Sequence, residues 1–168
     1  MYARMGRTAD GTTGAAEVYT LHRVAGADQL VLSLWPTAAQ AAADPTAEWY
    51  EVEYDQPRHA AGERPEVAAL VCFDGPISDP VHAAAQRAST GRIGPLLAVH
   101  DGLVRSIALW QPERRSMLVI MAAVSVEAVE SAHRAVMATE LLPDEDPALL
   151  LDPDRVDLYR VRSTAGVR

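Results

Sequence analysis

The feature that most constrains this chain is an order of elements that occurs twice. Val18 to Thr37 reads as strand, turn, strand and helix cap, and Val104 to Ser125 reads the same way at nearly the same spacing. In the first stretch, Glu17 to Val24 (EVYTLHRV) has the β-branched and aromatic content of a strand, and Gly26-Ala27-Asp28 is a turn. Leu30 to Trp35 follows as a strand that is apolar on both faces, a pattern suited to a sheet covered on both sides. Thr37 then opens a capping box with Gln40 and predicts a short Ala-rich helix to about Ala43, ending before Asp44-Pro45. In the second stretch Leu103 to Trp110 and Ser116 to Met121 read as a hairpin. Ser125 caps a helix whose core face is marked by Val126, Val129, Val136 and Met137.

The other segments complete two similar series. Met1 to Thr8 is a first strand and Ala9 to Ala16 a turn-rich loop. Trp49 to Asp55 alternates, which puts Tyr50, Val52 and Tyr54 on one face and Glu51, Glu53 and Asp55 on the other. Val67 to Phe73 is a buried strand. Asp79 caps a helix with Pro80 at its first position, an apolar stripe at Val81, Ala84, Ala85 and Ala88, and a stop at Gly91. Arg92 to Val99 leaves room for a short second helix. Asp144-Glu145-Asp146 belongs to a solvated acidic connector, and Arg155 to Val161 is the last strand.

The expected fold class is therefore α+β: two tandem ferredoxin-like β-α-β-β-α-β halves packed sheet to sheet as an α/β barrel. The boundaries are 1–56 for a degenerate first half, 57–65 for a linker, 66–162 for a full second half and 163–168 for a tail. The first half is degenerate because eight residues stand where its first helix belongs. A plait leaves one sheet face bare, and two plaits can hide those faces against each other. Leu32, Leu34, Leu70, Phe73, Ile107, Leu109, Leu118, Ile120, Val129 and Val136 are the expected core.

Composition narrows the function by exclusion. The chain has 168 residues with a net charge of −8, which argues against sequence-independent binding to nucleic acid or an anionic membrane. It contains no lysine, so Schiff-base chemistry and a P-loop are excluded, and no asparagine, so a carboxamide from Asn is unavailable. Cys72 is the single cysteine and sits in an apolar strand, where a buried and inert thiol is expected. No metal-ligand spacing, dinucleotide fingerprint or catalytic triad motif is present, and no cofactor is expected. No apolar run is long enough for a membrane helix and no leader is visible, so a cytoplasmic protein is the default.

The start Met1-Tyr2-Ala3-Arg4 and the junction Leu34-Trp35-Pro36-Thr37-Ala38-Ala39-Gln40 resemble dimeric α/β-barrel proteins of the antibiotic-biosynthesis-monooxygenase type. In that group a strand ends in Trp and a capped helix follows, often carrying a His about two turns in. The first half has Trp35, with Ala42, Ala43 and Asp44 where that His is expected. The second half has the capped helix with His133 and Ala123 in the Trp place. The resemblance implies a cofactor-independent oxygenase acting on an aromatic or quinone-like small molecule held in a cavity between the halves. His22 or His100 would then be the base, Arg105 the stabiliser of negative charge, and Trp35 and Trp110 the walls.

The residues themselves leave alternatives open. None of His22, His59, His82, His100 and His133 has metal-ligand spacing. His22 is equally a strand residue bonded to backbone or water, and His100 a turn residue beside Asp101. His59 is a solvated linker residue and His133 a boundary residue of its helix. Trp35 and Trp110 end strands, where an indole walls a pocket or fills the core. Arg105 shares parity with Leu103, Ile107 and Leu109, so it sits at a barrel mouth, pairs with a carboxylate or snorkels to water. Arg105 and Arg92 are the basic candidates for an anionic ligand. A non-catalytic binding module for an apolar small molecule and a filled structural barrel are the competing readings. Barrel closure within one chain and a further homodimer contact are both compatible with the pattern.

Overall fold

A computed structural model describes residues 1–10, 12–42 and 47–165. The predicted end of the first helix, at Ala43 before Asp44-Pro45, lies outside the described residues. Eight antiparallel strands form a closed barrel, with the fold class α+β as expected. They are β1 (Tyr2–Gly6), β2 (Glu17–Arg23), β3 (Gln29–Trp35), β4 (Glu48–Pro57), β5 (Val67–Phe73), β6 (Leu103–Gln111), β7 (Ser116–Ala123) and β8 (Arg155–Ala165). Around the barrel the order is β1-β3-β2-β8-β5-β7-β6-β4, and β4 pairs back onto β1. The first four strands thus run β4-β1-β3-β2 and the last four β8-β5-β7-β6, the same relative order twice. A single chain closes the barrel, so no sheet edge is left over.

The interior follows from strand alternation. Ala3, Tyr19, Leu21, Leu32, Leu34, Leu70, Ile107, Leu109, Leu118 and Ile120 all point inward and form one apolar plug. Eight of the ten expected core residues are buried, while Phe73 and Val136 are half-buried. The plug leaves a residual void of only about 10 Å³ at its centre. Small-molecule pockets need roughly 300 Å³ or more, so the middle of the barrel holds no ligand.

The longer helices cover one side of the barrel from outside, and the one-turn helix of the first half packs on β1, β3 and β4. Helix α4 (Val126–Ala138) is capped by Ser125, whose side chain accepts from the amide of Ala128 at 3.2 Å. It lays Val129 and Ala132 on Val67, Ala69, Leu103 and Met121 of the outer sheet face. Met137, expected on that face, is 67% exposed because it falls at the last turn, beyond the packed stripe. Gly102 in the turn before β6 has φ +77°, and a Cβ there would come within 2.7 Å of Ala128 of α4. Glycine is required there on both counts.

Helix α2 (Asp79–Ala88) starts one residue earlier than expected: Ser78 is the N-cap, Asp79 is already helical and Pro80 is the second position. Gly91 does not stop it. A π-helical turn over Ser89–Ile93 carries the chain into α3 (Gly94–Ala98). Among the described residues the first half has only the one-turn α1 (Ala38–Ala41); Thr37 caps it by accepting from the Gln40 amide, while the Gln40 side chain accepts from the Thr37 hydroxyl instead of its amide. Its loop comes down instead, so that a Cβ on Gly14 would lie 3.9 Å from the Trp35 ring, and the Ala16 amide is bonded to the Leu34 carbonyl.

Strands β4 and β8 depart from the expected pattern. β4 runs through Pro57, so the connector begins one residue later than the expected boundary at 57. β8 continues past Val161 to Ala165, where the chain was expected to loosen, because Val18 to Thr20 of β2 pair with Ala165 to Ser163. The strict alternation expected from Trp49 to Asp55 is broken. Val52 faces Leu109 and Tyr54 faces Ala108, so Glu53 is an extra residue in a β-bulge. Tyr54 therefore turns outward instead of joining Tyr50 and Val52, and Asp55 turns inward.

Candidate functional site

The bulge determines what lies beneath helix α2. It places Glu53 and Tyr54, consecutive in sequence, on the same outer face of the barrel. Both line a cleft of about 370 Å³ whose other wall is Ala83, Gln86 and Arg87 of α2 with Ser89 and Thr90 of the π-turn. Bulges and π-turns both recur beside functional sites, because each re-aims a side chain that regular geometry would point elsewhere.

Glu53 is held tightly. Its Oε1 accepts from His82 Nε2 at 2.6 Å and from Gln86 Nε2 at 2.9 Å, while no protein group among the described residues bonds Oε2. The carboxylate and the imidazole are each less than one-fifth exposed. The His82 ring stacks on Trp110, with centroids 3.9 Å apart and planes 12° from parallel. Carboxylate, imidazole and indole thus form a rigid line from the cleft into the outer core, where Ile77 and Met117 pack against Trp110.

Behind the cleft lies Arg58, buried in the layer between barrel and helices. It donates to Ser106 Oγ (3.0 Å), Gln56 Oε1 (3.1 Å) and the Gly94 carbonyl (3.0 Å). All three partners are neutral, and among the described residues no carboxylate pairs with it. A buried cation ordinarily has a counter-ion, so Arg58 projects an unbalanced positive field. Desolvation lowers its pKa, but guanidinium remains charged at neutral pH. Burial pushes the Tyr54 phenol up, and the neighbouring Arg58 partly draws it back. Tyr54 is thus a neutral hydroxyl donor at neutral pH.

The sequence-derived candidates are dispersed. Trp110 alone reaches this site, as the platform under His82. Trp35 points outward on β3 in the other half, its indole N–H donating to Ser33 Oγ at 2.9 Å and its ring under the Arg4 guanidinium at 5.0 Å. His22 alternates with the inward Tyr19 and Leu21, so it faces outside β2. His100 follows α3 in the turn leading to β6. Arg92 of the π-turn is bound to Glu145 at 2.7 Å with both side chains largely buried. The acidic connector is therefore only partly solvated.

Arg105 does face the barrel interior. Its guanidinium grips Asp55 with two bonds of 2.6 Å, bonds the Tyr19 hydroxyl at 2.7 Å and pairs with Glu17. The Asp55 and Glu17 hydrogen bonds hold its pKa above the ordinary arginine value. This cluster closes one barrel mouth. Burial chiefly raises Tyr19 there to about 12.

Glu53, Tyr54 and His82 carried no signal of joint position in the sequence. Glu53 and His82 stand twenty-nine residues apart. Their meeting depends on a bulge that an alternating run does not reveal.

The fold is that of antibiotic-biosynthesis-monooxygenase-like, ferredoxin-fold proteins. Solved structures show it across nearly the whole chain. A ferredoxin-fold protein of Listeria monocytogenes, described as related to antibiotic biosynthesis monooxygenases, superposes with TM-score 0.59 at 9% identity, covering 97% of this chain and 95% of that one. An anthrone oxidase-like protein gives 0.60 at 13% identity over 98% and 91%. A heme-degrading enzyme of L. monocytogenes gives 0.61 at 9% identity over 95% and 99%. No family model and no curated protein matches the sequence.

Proposed function

We propose that this chain is a monooxygenase-like enzyme that oxidises an aromatic or quinone-like small molecule in the α2 cleft without a resident cofactor. The observation that carries the reading is the Glu53–His82 pair at 2.6 Å, stacked on Trp110 and opening through Glu53 onto a pocket-sized cleft. The anthrone oxidase-like and heme-degrading neighbours support oxidative chemistry on polycyclic compounds in this fold. The repeated strand order supports two plait-like halves, with the catalytic cleft built by the second half against β4 of the first.

Glu53 Oε2 takes a proton from an acidic C–H or O–H of the substrate, while His82 and Gln86 keep Oε1 oriented. Tyr54 donates to the oxygen on which negative charge develops, and the Arg58 field stabilises the resulting anion. The electron-rich anion then reacts with dioxygen. For an anthrone-type methylene the balance is CH2 plus O2 giving C=O plus water, with O2 the oxidant and substrate the electron source. Trp110 fixes the imidazole plane and so acts as a positioning residue. His22, His100, Arg92, Arg105 and Trp35 have no part in this assignment.

Oxygen-electrode assays on a panel of anthrones and hydroxyquinones test it. Oxygen uptake with at least one member is expected, falling by about 100-fold or more in Glu53→Gln, the low end for removing a general base. Uptake that is absent across the panel, or unchanged in Glu53→Gln, would sink the reading.

A further inference from the structure

The barrel mouth opposite Arg105 is a separate bowl of about 490 Å³. Its floor is apolar and aromatic, made by Tyr50, Leu70, Leu118 and Tyr159, all part of the barrel plug. Its rim is charged and mostly self-satisfied. Asp157 takes both Arg23 and Arg155, the latter at 3.0 Å. Asp28 pairs with Arg23 at 3.4 Å, Asp74 with Arg155 at 3.9 Å and Glu48 with Arg114 at 2.5 Å. Tyr50 adds its hydroxyl to Glu48 at 2.7 Å. Every rim carboxylate is therefore already engaged by an arginine. Arg7, exposed on the same rim, has no carboxylate partner among the described residues.

We propose that this bowl binds an amphipathic organic monoanion, an aromatic carboxylate or sulfonate, with its ring on the tyrosine floor and its anionic group on Arg7. The selectivity follows from the inventory of charges. A cationic ligand would have to displace an arginine from an existing pair, whereas an anion finds free N–H donors. A neutral aromatic gains the floor but leaves the rim donors unused. The floor supplies apolar contact, because the largely buried Tyr50, Leu70, Leu118 and Tyr159 turn their remaining exposed edges into the bowl.

Calorimetric titration of the intact protein with 2-naphthoate tests this, with 2-naphthamide as the neutral isostere. One molar equivalent of 2-naphthoate should bind, with affinity about tenfold lower for the amide and about tenfold lower for 2-naphthoate on Arg7→Ala, the scale of one charge-assisted hydrogen bond. Glu53→Gln should bind 2-naphthoate as the wild type does, which separates the bowl from the α2 cleft. No binding, equal affinity for acid and amide, an unaffected Arg7→Ala, or loss of binding in Glu53→Gln would each overturn the assignment.

Discussion

At the scale of single residues, the barrel interior is where size and charge count most. Ile120 is buried in the plug and faces Ile107 across the β6–β7 ladder. Ile120→Ala should cost about 2–5 kcal/mol, because closed strands on all sides limit collapse around the missing methylenes. Denaturant titration checks this. A loss below about 0.5 kcal/mol, the size of an ordinary surface substitution, would mean the site is not core. Tyr19 makes a pH prediction. Its folded pKa is raised to about 12, above the ordinary tyrosine value, chiefly by burial. Its contribution is therefore complete below about pH 10 and is lost as pH climbs to about 12, since the unfolded phenol ionises first. Denaturation midpoints measured through that window should fall less steeply in Tyr19→Phe than in the wild type. Arg105 was legible as an inward-facing residue because its parity with Ile107 and Leu109 holds in β6, whereas the expected parity with Leu103 fails at a register shift that turns Leu103 to the outer face. Its partners were not legible: Asp55 reaches it only because a bulge fifty residues upstream in sequence reverses that strand's facing.

At the scale of elements, what sequence made visible was periodic and local. Val67–Phe73 matches its strand residue for residue, and Ser125 caps α4 as its position predicts. Irregular elements were invisible, and the site is built from them. The β4 bulge and the π-turn after α2 are one-residue departures from period, and no composition marks them. The bulge allows a direct test. Val52 pairs with Leu109 and Tyr54 with Ala108, so deleting Glu53 should heal the ladder without reversing any other side chain. The deletion variant should keep a cooperative thermal transition and lose oxygen uptake as completely as Glu53→Gln. Collapse of the fold on deletion would mean that the bulge sets barrel register rather than the site.

At the scale of the whole molecule, closure explains why one chain is enough. A single four-stranded plait leaves one sheet face bare, and association is the ordinary way to cover it. Here β2 pairs with β8 and β4 with β6, so both sheet faces and all strand edges are used within the chain. The α2 cleft and the tyrosine-floored bowl draw only on residues of that chain. A second copy should therefore be needed neither to pair the strands nor to complete either pocket. Light scattering after size exclusion should give a species of 18.1 kDa. A homodimer whose folding depends on association would show a denaturation midpoint rising with protein concentration, by mass action. This chain should show a midpoint that stays constant over a hundredfold dilution, and oxygen uptake per chain that stays constant with it. A midpoint or specific activity that falls on dilution would mean that a contact between chains holds the barrel or the cleft together.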